Sequence, residues 1–207
     1  TKACPVIRPS EWDLGLGNRA AVYRPFPQAV PITFCIDKKD RAPCQTACPA
    51  GVNVQGYIQL VKQGKYERAY RLIQEKLPLP GVLGRICPHP CETACRRTGL
   101  DGAVAIRDLK RFAADQVDAA TLSVPEIVDR PEKVAVIGSG PAGLTVACQL
   151  RLKGFQVTVF EALHELGGVL VYGIPEFRLP KEIVRQEINN LKTMGVEFQT
   201  DIVIGRT

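Results

Sequence analysis

The chain has 207 residues, 45% hydrophobic and 23% charged, with a formal net charge of +6. That is an ordinary globular composition, long enough for one large domain or two small ones. Its lysines and arginines are dispersed, which reads as a solvated basic surface and not a nucleic-acid interface, and no run of about eighteen apolar residues is present to cross a membrane as a helix.

Residues 1–43 are proline-rich ("RPSEW", "YRPFPQAVPITF"). Proline fixes φ and removes a donor, so an extended segment is expected there. Residues 53–76 read as two short helices broken at Gly64, with Asn53 as N-cap and Tyr57, Ile58, Val61, then Ala69, Leu72, Ile73 at helical spacing. "LPLPGVLG" reads as a punctuated link, and "AVAIRDLKRFAADQV" as an amphipathic helix with Ile106, Leu109 and Phe112 on its apolar face. "SVPEIVDRPE" is a linker.

Beyond it the pattern changes. "KVAVIGSG" is a short apolar strand, "PAGLTVACQLRLKG" a helix ending at Gly154, and "QVTVFE" a second strand: a β-α-β unit with parallel strands. "LPKEIVRQEINNLKTMG" is a further helix and "VEFQTDIVIG" supplies one or two strands. Gly138, Gly140 and Gly143 form G-x-G-x-x-G between strand and helix. The first glycine allows the tight turn, the second a close pyrophosphate, the third close helix packing, and the helix N-terminus faces the phosphates. Glu161 ends the second strand where a ribose hydroxyl pair is received. An acid there disfavours a 2′-phosphate, so the pocket is expected to hold FAD or NAD and not NADP. Cys148 reads as a buried structural thiol.

The remaining cysteines are Cys4, Cys35, Cys44, Cys48, Cys87, Cys91 and Cys95. In "GRICPHPCETACRR" three thiols recur at four-residue spacing, and Pro88 and Pro90 put Cys87 on a turn leading into "CETACRR". A [4Fe–4S] cubane needs a fourth ligand. "APCQTACPAG" offers Cys44 and Cys48, and Cys48 precedes a proline as cluster ligands often do. Zinc also takes four thiolates, and spacing alone does not separate the two. The neighbouring nucleotide fold favours the cluster, since zinc supplies no electrons. Clustered thiols in a chain of this size point to a reducing compartment, the cytoplasm. His89 reads as a turn residue between ligands and His164 as a surface residue.

"CPAGVNVQGYIQLVKQGKYERAYRLIQEKLPLPGVLGRICPHPCETACRR", followed by "VAVIGSGPAGL" and "GGVLVYGIPEFRLPKEIV", resembles the NAD(P)-dependent flavoprotein family of the glutamate synthase small subunit. The same module occurs in dihydropyrimidine dehydrogenase and in the large subunit of NADH-dependent ferredoxin:NADP oxidoreductase. "EWDLGLGNRAAVYRPFPQAVP" looks further like proteins of the heterodisulfide reductase A type. The resemblance implies a fold of α plus α/β class: a small all-helical iron–sulfur domain followed by a partial Rossmann-like FAD-binding domain. By position, Cys48, Cys87, Cys91 and Cys95 match the ligands of the cluster nearer the flavin. Gly138, Gly140, Pro141, Ala142 and Gly143 match the FAD pyrophosphate turn, Glu161 the adenosine-ribose acid, and Gly168, Val169, Arg178 and Ile204 further FAD contacts. No catalytic acid or base is expected.

The family often carries a second, more distant cluster. Its places here are Ile36, Lys39 and a position near Lys110 or Arg111, none a usual ligand, so that cluster is expected to be absent and Cys44 to be a spare thiol. "ACPV" resembles the tail of a ferredoxin-type motif, and the family's nicotinamide domain and second FAD segment lie beyond "DIVIGRT", so the chain reads as a fragment. The expected organisation is an extended segment over 1–40, a helical [4Fe–4S] domain over 41–130 and an FAD-binding domain over 131–207. The expected function is an electron-transferring flavin/iron–sulfur oxidoreductase module of heterodisulfide reductase A type, with other redox subunits or domains, NAD(P)H or ferredoxin as partners. A glutamate synthase small-subunit-like enzyme, a scaffold subunit that carries its cofactors structurally and a zinc-stabilised nucleotide-binding module are the alternatives.

Overall fold

A computed structural model describes residues 7–9, 14, 16–24, 28, 34–36, 41–118 and 122–205. Cys4 and Lys39 lie outside the described residues. In chain order the elements are β1 (Ile7–Pro9), β2 (Asn18–Ala20), β3 (Val22–Tyr23), β4 (Cys35–Ile36), α1 (Pro43–Thr46), α2 (Val54–Lys62), α3 (Tyr66–Gln74), α4 (Pro80–Ile86) and α5 (Pro90–Thr93). A 3₁₀ turn over Arg96–Gly99 precedes α6 (Ile106–Asp115). Then come β5 (Lys133–Ile137), α7 (Pro141–Leu152), β6 (Gln156–Phe160), α8 (Val169–Tyr172), α9 (Lys181–Thr193) and β7 (Glu197–Gln199).

The chain divides into two compact units that do not follow its order: residues 1–51 with 89–106, and residues 52–88 with 107–207. In the first, β1 pairs antiparallel with β2 and β3 with β4, and the one-turn helices α1 and α5 pack on each other. Both helices begin with proline at a first-turn position, where the missing N–H has no intrahelical partner to lose.

The second unit is built on a parallel sheet of order β5-β6-β7, with Val134 opposite Val157 and Val159 opposite Phe198. Val157 and Val159, two apart on the central strand, are buried on one face, while Gln156 is exposed and Thr158 and Phe160 are half-buried on the other. Leu144, Ala147 and Cys148 of α7, Leu170 of α8, and Val184, Ile188 and Leu191 of α9 complete this core, together with Leu79 and Val82 at the start of α4. The expected helices over 53–76 form on either side of Gly64, and Asn53 Oδ1 accepts the Gly56 N–H at 3.0 Å as the N-cap.

Two expectations are corrected. "LPLPGVLG" is not a link throughout, because α4 begins at Pro80. Its glycines lower helix propensity, yet they are what the packing needs: a Cβ at Gly84 would lie 2.8 Å from Arg111 Cα, and one at Gly81 3.1 Å from Glu187 Oε1. On α6 the buried positions are Ile106, Lys110, Ala113 and Ala114, whereas Phe112 is 41% exposed. Phe112 instead packs edge-on against Tyr66 at 5.5 Å.

Candidate functional site: a nucleotide turn and a cysteine set

Strand β5 delivers the chain into Gly138, whose φ of +92° only glycine adopts readily. Gly140 caps α7, and Pro141 occupies its first turn. Gly143 admits no side chain, since a Cβ there would stand 2.0 Å from the Gly138 carbonyl oxygen. The turn therefore lies directly on the helix it opens, with backbone N–H groups and the positive helix end directed at whatever occupies it. A second glycine turn packs onto the first: Gly168 has φ +54°, and its Cβ would fall 3.1 Å from Gly140 Cα.

Glu161, at the end of β6, is 7% exposed. Its Oε2 accepts the Ser139 N–H at 2.8 Å and the Ser139 hydroxyl at 2.5 Å, and its Oε1 accepts the Leu163 N–H at 3.1 Å. Burial by itself would raise this carboxyl, but the donors from Ser139, Leu163 and Ala162 outweigh it and hold it below the usual carboxylate range. The acid is thus ionised at neutral pH and tied to the glycine turn. β7 joins the same strand end, with Glu161 N–H donating to Gln199 O at 2.8 Å, and just beyond β7 Ile202 N–H donates to Glu161 O at 3.0 Å.

Of the nucleotide-site residues expected from sequence, the structure brings Gly138, Gly140, Pro141, Gly143, Glu161 and Gly168 to one place, with Ala142 in the first turn of α7. Val169 opens α8 and is exposed, as are Ile204 and Arg178, whose N–H donates to Pro175 O at 3.0 Å. Ser139, whose hydroxyl joins Glu161 and Gly167, was not among the residues expected from sequence.

The cysteines Cys35, Cys44, Cys48, Cys87, Cys91, Cys95 and Cys148 are all reduced thiols. Cys44 sits in α1, Cys48 just after it, Cys91 in α5 and Cys95 at the start of the 3₁₀ turn, all in the first unit. Burial pushes the Cys44 thiol up, and the neighbouring Cys95 and Cys48 add to this against backbone donors at Gln45 and at Cys44 itself. Cys44, Cys48 and Cys95 thus share one neighbourhood. Cys87 caps α4 in the second unit, its N–H donating to Leu83 O at 3.3 Å. Among the described residues no three His, Cys, Asp or Glu side chains converge as a single metal ion would require. The donor set itself fits an iron–sulfur cluster: thiols only, none consumed by a disulfide.

His89, between the two prolines, takes the left-handed region (φ +47°) and places its Nδ1 3.1 Å from the Glu92 carboxylate. The turn reading of this residue fits its geometry. His164 is a surface residue that stacks edge-on against Tyr172. Cys148 is buried, and burial pushes its thiol up to about 11. Of the places for a second cluster, Ile36 is exposed, Lys110 is 6% exposed, and Arg111 pairs with Asp115 at 3.4 Å. Helix α4, which ends at Cys87, is held at its other end by Glu187 of α9, whose carboxylate accepts the Gly81 N–H at 2.6 Å and the Val82 N–H at 3.3 Å.

Comparison with known proteins finds two family matches in chain order, the first of which runs through both compact units. Residues 31–122 match the family model described as dihydropyrimidine dehydrogenase domain II, 4Fe-4S cluster, and residues 136–186 match that of an NAD(P)-binding Rossmann-like domain. The NADP(+)-dependent formate dehydrogenase subunit beta of Moorella thermoacetica is 41% identical over 79% of this chain and 26% of its own length. The NADPH-Fe(3+) oxidoreductase subunit beta of Geobacter sulfurreducens is 40% identical over 81% of the chain and 26% of its own length. The small chain of NADPH glutamate synthase from Azospirillum brasilense is 36% identical over 79% and 35%. The chain thus spans about a quarter to a third of the length of these relatives. Their match and the parallel sheet together make this chain an iron–sulfur domain followed by a Rossmann-like fold of three parallel strands.

Proposed function

We propose that this chain is the cofactor-bearing module of a larger oxidoreductase, with FAD on the Gly138–Gly143 turn and one [4Fe–4S] cluster on Cys48, Cys87, Cys91 and Cys95. When bound, FAD exchanges electrons in pairs with a hydride donor or acceptor and the cluster passes them singly to a redox partner. The chain's own part is to hold and insulate. The glycine turn and the N-terminus of α7 receive the pyrophosphate, and the ionised Glu161 accepts from the adenosine ribose. The Gly167–Gly168 turn closes over Gly140. Cys91, buried in α5, is the ligand most shielded from water, which limits solvent access to the iron. No acid or base of this chain is assigned a proton-transfer role.

What carries this reading is the conjunction of the family match for a 4Fe–4S domain with a nucleotide turn whose acid is ionised and preformed. FAD in place of NAD is supported by "GGVLVYGIPEFRLP", whose glycines pack on the turn. For the whole enzyme, the three relatives all bear NADP or NADPH in their names, which supports NADP(H) as the electron source or sink, bound away from Glu161. "RPFPQAVP" supports a second reading, an electron-transfer component of heterodisulfide reductase A type. The test of the cofactor assignment is denaturing extraction of the full-length protein followed by chromatography of what is released. FAD is expected from wild type, with a marked loss in Glu161→Ala. Release of NAD with no flavin absorbance overturns the assignment.

A further inference from the structure

Ser139 stands between the first two glycines of the turn and is fully buried, at 0% exposure. Its hydroxyl meets two groups. The Gly167 N–H donates to Oγ at 2.9 Å, and Oγ lies 2.5 Å from Glu161 Oε2. Gly167 brings its own hydrogen, so the serine proton is directed to the carboxylate. The relay runs one way, from Gly167 N–H through Ser139 O–H to Glu161, and Leu163 N–H donates to the other carboxylate oxygen, which keeps acceptor capacity for a ligand. Burying a hydroxyl costs free energy unless it is hydrogen-bonded, and alanine would fill nearly the same space. The hydroxyl therefore has a task that packing does not supply. Its two partners are the acid of one turn and the backbone of the other, and Gly168, next in chain to Gly167, lies against Gly140.

We propose that Ser139 is the positioning residue of the nucleotide site: its hydroxyl locks Glu161 to the Gly167–Gly168 turn, so that the ribose-binding acid and both glycine turns meet the cofactor as one preformed unit. This rests on the reading of the Gly138–Gly143 turn as the FAD site. The hydroxyl supplies one of the donors that keep Glu161 ionised, so its loss is felt through Glu161 and not through bulk packing.

The experiment is a double-mutant cycle on the deflavinated full-length protein, titrated with FAD by quenching of flavin fluorescence between pH 5 and 8. Ser139→Ala is expected to raise the Kd about tenfold at neutral pH, and to weaken further toward pH 5, where wild type stays nearly flat. In a Glu161→Ala background, Ser139→Ala adds little, because the group it acts through is gone. Ser139→Cys, a poor donor of similar volume, is expected to behave as alanine does and serves if the alanine variant fails to fold. An unchanged Kd and pH profile in Ser139→Ala, or an equal cost in both backgrounds, overturns the proposal. If wild type takes up NAD and no FAD, the cofactor reading falls instead, and the same cycle run with NAD judges Ser139 by the same two criteria.

Discussion

Cys44 and Cys48 lie in one short turn, yet different roles follow for them. Cys44 has Cys48 and Cys95 as neighbours, and burial keeps it a thiol. Its partners for a second cluster would be Ile36, Lys39 and a basic position on α6, none of which replaces a thiolate. Cys44→Ser is therefore expected to leave iron content and the EPR signal of the reduced cluster unchanged, while Cys48→Ser alters both. Loss of iron in Cys44→Ser would move the fourth ligand to Cys44. At this scale the sequence was most legible where spacing alone sets geometry: G-x-G-x-x-G places three glycines on a strand–helix turn, and the strand end places Glu161. Ser139 was illegible because its position in the motif tolerates many residues, and its role comes from Glu161 and Gly167, at a distance in sequence. The conformation of His89 was likewise hidden. The flanking prolines marked a turn, but not the left-handed φ that turns the chain between Cys87 and Cys91.

Among the elements, α4 shows where propensity misleads. Two glycines in seven residues argue against a helix, and the approach of α6 and α9 makes those glycines favourable. Phe112 was misplaced because helical spacing finds an apolar stripe but not which of its members a neighbour covers, and here Phe112 stays 41% exposed against the Tyr66 ring. The device at the start of α4, Glu187, was also invisible, since an acid on an amphipathic helix ordinarily faces water. Here it is 5% exposed, beside the Tyr70 phenol and within reach of Arg85, with Asp115 and Asp118 lining the same cavity of about 420 Å³. Burial pushes its carboxyl up to about 8 against the opposing Gly81 and Val82 donors and Arg85. The folded state then keeps a proton that the unfolded state loses above about pH 4.5. This contribution to stability is complete below about pH 4.5, falls as pH rises toward 8 and is level above it. Glu187→Gln, which cannot ionise, is expected to melt with a flatter pH dependence between pH 6 and 8.5, gaining on wild type by about 2–3 kcal/mol at the alkaline end. Parallel melting curves across that range would contradict the assignment.

For the molecule as a whole, the order of parts was legible and their boundaries were less so. The β-α-β pattern and the cysteine run separated a nucleotide fold from an iron–sulfur region, and both match known family models. The core of the parallel sheet nevertheless draws in Leu79 and Val82 from the stretch before Cys87. Compact units are decided by which surfaces bury each other, and the linear pattern does not record that. Cys87 ends a helix of the second unit, and Cys48, Cys91 and Cys95 belong to the first. The central claim is that these four thiols hold one four-iron cluster. Its most direct test compares iron and acid-labile sulfide in the full-length protein and in Cys91→Ala, prepared anaerobically side by side. The variant is expected to hold about four fewer irons per chain, with matching loss of sulfide and of one reduced-cluster EPR signal. Equal iron in the two proteins, or loss of a single zinc in its place, would contradict it.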